Sequence, residues 1–387
     1  MFLLIKNGEV FTPQSIGVKD VLICAGKIVQ ISDNIDQPQG VATDIIDATD
    51  MIVTPGIVDT HIHLLGAGGG GGPDTRSSVV HFSTIARAGV TTAIGTLGLD
   101  TMGFGPRELY IRARALEREG LSTYMLTGSY ALPSVTITGA VSTDIVFIDK
   151  VIGLKLAMRE VLCRSPDKEQ LKSILSEVMR AGRWSAKAGV VVAHQGDVPG
   201  SMSWVCDALD ELMIPKRHFI ATHINRSIEI LSDAIECAKR GMILDLTGNI
   251  PKPEAISAAK ALKMMLDTGV PLDNITFSSD SGAFHSYGDG DDTILPVDVC
   301  IKEIREMVKS EEIPLQDAIS TLTINPARLY CLDDVKGSIE VGKDGDVLLF
   351  DRSITLDSVI AKGKILVKDG RPIVRGRLEE SYLTMLQ

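Results

Sequence analysis

From Gly56 onward, short apolar runs alternate with longer amphipathic stretches, and that alternation leaves few folds open to the chain. The runs are Ile57-Val58, leading into His61 and His63, then Val90–Gly95, Ser122–Leu126, Val151–Leu156, Val190–Ala193, Phe219–Thr222, Met242–Leu246 and Ile275–Ser279. Between them the spacing predicts helices over Ser77–Ala88 and over Arg107–Glu119, the latter with Pro106 at its first position and Gly120 as its C-terminal cap. Ser165-Pro166-Asp167 reads as cap, first-turn proline and acidic residue, ahead of an apolar stripe of Leu171, Ile174, Leu175, Val178 and Met179. Eight strands with intervening helices predict an α/β fold, a (β/α)8 TIM-like barrel rather than an open doubly wound sheet. No G-x-G-x-x-G follows a strand in the right context, and no Walker lysine follows the glycine run, which excludes dinucleotide and P-loop sites.

The flanks have a different texture. Short strands are predicted at Phe2–Lys6, Asp20–Cys24, Lys27–Ile31, Ile45–Asp47 and Met51–Val53, and again at Lys336–Ile339, Asp346–Phe350, Ser358–Ala361 and Lys364–Val367. Neither end alone has enough strands to bury a core, so one small β-sandwich domain built from both chain ends is expected. The implied division is 1–55 and 333–387 for the small domain and 56–332 for the barrel. A net charge of −11 with no basic cluster argues against nucleic acid and anionic membrane as partners. No apolar run reaches the ~18 residues that span a bilayer, and Lys6-Asn7-Gly8 cuts Met1–Ile5 too short for a signal peptide. The 6 cysteines are scattered without C-x-x-C pairs, as expected for reduced thiols in a cytoplasmic protein.

Barrel enzymes carry their chemistry at the C-terminal ends of the strands. His61 and His63 are one pleat apart on the first strand and so share a face. Lys155 lies on the fourth strand, His194 ends the fifth, His223 the sixth and Asp280 the eighth. Imidazole and carboxylate together suit zinc or a similar divalent ion. Lys155 is the odd member, a lysine inside Ile-Gly-Leu-Lys-Leu-Ala-Met, where an unpaired ammonium is costly. After His63, the loop Gly66-Ala67-Gly68-Gly69-Gly70-Gly71-Gly72-Pro73 is almost free of side chains and would let a substrate approach closely.

These residues also carry a resemblance. Val58–His63, the strand-4 lysine, the strand-5 and strand-6 histidines and the strand-8 aspartate resemble the amidohydrolase superfamily pattern. So do Asn325-Pro326-Ala327-Arg328 and the closing segment Lys336–Ile339 with Gly342–Asp346. Within it, Gly72–Arg76, Met125–Tyr130, Pro133–Gly139, Val151–Lys155 and Thr222–Arg226 look like the isoaspartyl (β-aspartyl) dipeptidases.

The resemblance implies that Lys155 is N6-carboxylated and that two divalent metal ions, Zn2+ by expectation, are held by His61, His63, Lys155, His194, His223 and Asp280. It makes Tyr130 the oxyanion stabiliser and Arg226 a grip on a substrate carboxylate, with Arg164 or Arg159 as a second. Gly68, Gly70, Leu99 and Phe284 fall at further substrate-contact positions. Three of them depart from the pattern: Gly70 stands for a glutamate, Leu99 for a threonine and Phe284 for a serine.

The expected reaction is hydrolysis of an amide in a small acidic substrate, a β-aspartyl dipeptide. A hydroxide shared by the two ions attacks, and Asp280 moves the proton to the leaving amine. The departures favour an alternative, an N-acyl amino acid or a cyclic amide as in the hydantoinase and dihydropyrimidinase branch. A homo-oligomer is expected.

Overall fold

A computed structural model of the chain describes residues 2–198, 200–248, 250–285, 293–294, 296–377 and 379. Its centre is a parallel barrel of β1 (Ile57–Ile62), β2 (Val90–Gly95), β3 (Ser122–Gly128), β4 (Val151–Met158), β5 (Val190–Gln195), β6 (Phe219–Thr222), β7 (Ile243–Thr247) and β8 (Ile275–Ser278). Neighbours in sequence are neighbours in the sheet, and a parallel bridge between Ile62 and Ser281 joins β8 back to β1. The strands are β-branched and apolar, and almost every residue in them is buried, because helices cover the outside while side chains fill the inside.

The covering helices are amphipathic in the way their spacing requires. In Lys168–Ser185, Leu171, Leu175 and Val178 are buried, with Ile174 and Met179 partly buried against the same core. That helix starts two residues later than its sequence suggests. Asp167 is the N-cap, accepting the Gln170 N–H at 2.8 Å while Gln170 Oε1 accepts the Asp167 N–H at 3.1 Å. Pro166 therefore lies before the cap, not in the first turn.

Two further expectations differ. Of Ser77–Ala88 only Phe82–Arg87 is helical. Residues 77–80 instead run beside the glycine loop, the Ser77 N–H donating to Ala67 O at 2.9 Å, and the Ser77 hydroxyl accepting the Ala67 N–H at 2.9 Å and donating to Gly282 O. Lys336–Ile339 is a turn, not a strand, because Lys336 is drawn inward to a cluster of acids.

The small domain is one nine-stranded sheet drawn from both ends of the chain. Its N-terminal strands are Phe2–Phe11, Ser15–Cys24, Lys27–Ser32, Thr43–Asp47 and Ile52–Pro55. Its C-terminal strands are Val347–Phe350, Leu356–Ala361, Lys364–Lys368 and Arg371–Pro372. The two sets meet where Val347–Phe350 runs antiparallel to Ile52–Pro55, pairing Val347 with Pro55 and Phe350 with Ile52. Leu3, Ile5, Val21, Ile23 and Val53 bury themselves with Val347, Leu349 and Ile360 in one cluster, so the two ends of the chain share a core. Among the described residues no helix is long and apolar enough to cross a membrane.

Candidate active site

The strand ends bring His61, His63, Lys155, His194, His223 and Asp280 together. His61 Nε2 lies 2.9 Å from Lys155 Nζ and 3.5 Å from Asp280 Oδ1; His63 Nε2 lies 3.1 Å from the same oxygen. His223 Nδ1 is 3.9 Å from Asp280 Oδ2, and the His61–His223 and His194–His223 ring centroids are 4.9 and 4.7 Å apart. All six side chains are buried, Lys155 completely. His223 and Asp280 sit in the left-handed region, φ 64° and 50°, a strain of about 1–3 kcal/mol each that the surrounding barrel sustains.

Several features fit this set to cations. The ligand atoms of His61, His63 and Asp280 lie within 4.8 Å of one another. His61 Nδ1 and His63 Nδ1 are buried with no hydrogen-bond partner, a costly arrangement for polar atoms that have no further use. Burial holds His61, His194 and His223 well below the ordinary histidine range; Lys155 adds to this at His61, and Arg226 at His194. The three imidazoles are therefore neutral at pH 7, the form that ligates metals. Burial also lowers Lys155 to about 7.

Sequence reasoning missed the groups that hold this cluster in place. Asp59, two residues before His61 and on its face, accepts the Ser279 N–H at 3.1 Å and the Ser279 hydroxyl, tying β1 to the residue before Asp280. Burial lifts its pKa to about 6. Asp245 on β7 accepts the hydroxyls of Thr222, Thr276 and Ser278 at 2.6–2.7 Å, bracing β6 and β8. His223 Nδ1 lies 2.7 Å from Thr247 Oγ1, which sets the ring. An aspartate inside an otherwise apolar strand is the signal that marks both acids.

A cavity of about 670 Å³ opens over the cluster. Tyr130 stands in its wall, its hydroxyl 2.8 Å from His194 Nδ1. Burial, and then Asp280, hold this phenol well above its usual pKa, so it remains a donor. Arg226 is 6% exposed, its Nε 3.1 Å from Asp197 and its Nη1 3.5 Å from His194 Nε2. Lys252 pairs with the other oxygen of Asp197.

Gly68, Gly70 and Leu99 also line the cavity. The loop that carries the glycines is clamped by Arg76, which pairs with Asp100, donates to Leu65 O at 2.7 Å and lies 3.6 Å over the Phe104 ring. At Gly66 (φ 77°) a Cβ would stand 2.3 Å from Ser77 O, so this turn requires glycine.

Two of the candidate arginines are not brought to the cavity. Arg164 is exposed and lines a separate depression with Leu132, Pro133 and Glu177, and Arg159 donates from Nε to Val198 O at 2.8 Å. Phe284 falls in a two-residue strand, and its side chain lies outside the described residues.

The Amidohydrolase family profile matches residues 172–366. A β-aspartyl dipeptidase from Fervidobacterium islandicum AW-1, solved in complex with the β-Asp-Leu dipeptide, is 36% identical over 96% of this chain and 98% of that one, with a TM-score of 0.89. The chain belongs to the amidohydrolase family. This amidohydrolase also shares its fold with the dihydropyrimidinase of Brevibacillus agri NCHU1002, at 18% identity, 97% coverage of both chains and a TM-score of 0.68. It is 26% identical over 371 residues to the adenine deaminase of Methanococcoides burtonii, 89% of this chain but 54% of that protein. The chain thus spans about half the length of that curated relative.

Proposed function

We propose that this amidohydrolase cleaves the amide bond of a small acidic substrate, of the β-aspartyl dipeptide class, with two divalent ions bound. The observation that carries the reading is Arg226, a buried guanidinium opening onto the same cavity as His63, His194, Asp280 and Tyr130. A guanidinium there selects a carboxylate and places the rest of a small substrate over the cluster. The 36%-identical relative solved with β-Asp-Leu supports the same class.

His61, His63, Lys155, His194, His223 and Asp280 would hold the ions, zinc by the chemistry of the donors. When bound, such ions polarise a carbonyl and lower the pKa of water. Burial keeps Lys155 near pKa 7, so a large share of it is free amine at neutral pH. That amine adds to CO2, forming an N–C bond and losing one proton, and the resulting carbamate supplies an anion in place of a buried ammonium. Asp280 accepts the proton of the attacking water and returns it to the leaving nitrogen. Tyr130, held protonated, donates to the carbonyl oxygen as charge builds on it. Arg226 keeps the substrate's carboxylate in place throughout.

A second reading, an N-acyl amino acid or a cyclic amide, is favoured by one feature. A Cβ at Gly70 would sit 3.4 Å from Leu162 Cδ1 and 3.5 Å from Leu99 Cδ2, so this wall of the cavity is apolar. A hydrolysis screen of zinc- and bicarbonate-treated protein separates the two. Turnover of β-Asp-Leu well above that of N-acetyl amino acids, hydantoin and dihydrouracil supports the first. Cleavage of the cyclic amides alone would sink it.

A further inference from the structure

Three carboxylates line the cavity among the described residues: Asp280, Asp197 and Glu160. Asp280 lies within the histidine cluster, and Asp197 is held by both Arg226 and Lys252. Glu160 meets no arginine or lysine among the described residues. Its Oε2 lies 3.2 Å from His194 Nε2 and its Oε1 accepts the Val161 N–H at 2.8 Å. An ionised carboxylate accepts about four hydrogen bonds, so Glu160 has capacity left on the cavity side. Apart from the cluster, the cavity's charges are then Arg226 and Lys252 against Asp197 and Glu160. That balance suits a zwitterion, whereas an N-acylated acid would leave Glu160 facing no cation.

The turn that presents Glu160 is built for its position. Arg159 adopts φ 59°, bending the chain directly after β4. The bend is stitched to the next barrel loop by Gly196 N–H to Met158 O at 2.9 Å and Val198 N–H to Arg159 O at 2.7 Å. A Cβ on Gly196 would stand 2.4 Å from Arg159 O and 2.7 Å from the Glu160 Cα, so only glycine admits this approach. Two residues on, Leu162 Cδ1 lies 3.4 Å from where a Cβ on Gly70 would stand, so the Glu160 turn runs beside the glycine loop.

We propose that Glu160 is the specificity-determining carboxylate of this site, receiving the free ammonium of a zwitterionic substrate whose carboxylate rests on Arg226. This deepens the amide-hydrolase reading and rests on it for the identity of the cavity. The competing role is that Glu160 only orients the His194 ring.

Binding of L-aspartate, the acidic product of β-Asp-Leu cleavage, and of N-acetyl-L-aspartate to metal-loaded protein by titration calorimetry decides between them. Wild type should prefer the free amine by about 30-fold or more. Glu160→Gln keeps the shape and should reduce that preference to about 3-fold or less, with metal content unchanged. Adding Gly70→Glu to that variant should restore it, since the side chain would enter beside the same turn. The proposal is overturned by a wild type that does not prefer L-aspartate. It is equally overturned by a Glu160→Gln variant that weakens both ligands alike and loses metal, which assigns the carboxylate to His194. Neither measurement needs turnover, so failure to cleave β-Asp-Leu would sink the proposed function and not this inference.

Discussion

Two buried lysines divide the molecule between them. Lys336, 3% exposed, places its ammonium 2.7 Å from Asp344, 2.5 Å from Asp346 and 2.6 Å from Ser122 Oγ, at the N-terminal start of β3. Burial pulls its pKa down, but the Asp346 and Asp344 carboxylates more than reverse this and the net shift is upward. Lys155, at the opposite end of the strands, is wholly buried with a histidine at 2.9 Å, and burial outweighs the pull of Asp280 and Asp245. The charge at Lys336 is answered by the fold; the charge at Lys155 is left for something that binds. In a barrel, the first arrangement gives stability and the second gives chemistry.

The largest expected effect tests the second half of that contrast. Lys155→Ala should lower kcat by about 1000-fold or more while the protein stays folded, and a short-chain carboxylic acid should recover part of the rate by standing in for the proposed carbamate. Metal analysis of wild type treated with zinc and bicarbonate should find about two ions per chain, and a metal-free sample that retained full activity would end the proposed mechanism.

Lys336→Met should do the opposite. It leaves the buried Asp346 without its cation, while Asp344 keeps Lys27, and should cost about 3 kcal/mol in denaturant unfolding, with kcat of the folded protein little changed. Lost activity at full stability would erase the division between the two ends. The pH dependences should also oppose each other. Lys336, with a raised pKa, contributes stability that is present below the ordinary 10.5 and is lost as pH climbs through its higher folded value. Lys155, lowered to about 7, remains neutral where the unfolded chain is protonated. In metal-free, bicarbonate-free protein its contribution should therefore rise between pH 7 and 10.5, read as the stability difference from Lys155→Met.

A smaller effect is expected at the cavity wall. Arg226→Ala should raise KM for an acidic substrate by about 30-fold with less change in kcat, because it removes binding made equally in ground and transition states. An equal fall in kcat would move Arg226 into the chemical step. The smallest is structural. Asp167→Ala removes one helix cap and should cost about 1 kcal/mol in thermal unfolding without altering KM, a control for changes that touch stability alone.

Much of this was legible from residue order. Strand alternation put His61 and His63 on one face, and the run lengths located eight barrel strands to within a few residues. What misled were segments whose local pattern was overruled by distant partners. Ser77–Val80 has helical spacing but pairs with residues 64–67, and Lys336–Ile339 looks like a strand until Asp344 and Asp346 draw the lysine in. Arg164 and Glu160 show the same limit within the site. Both follow β4 within nine residues of Lys155, yet only Glu160 reaches the cavity, because Arg159 turns at φ 59° and Gly196 lets the turn settle.

The amino-acid sequence by itself determined the barrel, the flanking strands and the residue types that crowd the strand ends, since periods of 2 and 3.6 and the rule of strand-end chemistry are local properties. Only the tertiary structure decided which charges meet. Asp59 reaches Ser279 across 220 positions, His63 reaches Asp280 across 217, and Lys336 reaches Ser122 across 214. Coulomb energy and desolvation depend on distance and burial in three dimensions, and no spacing along the chain encodes either.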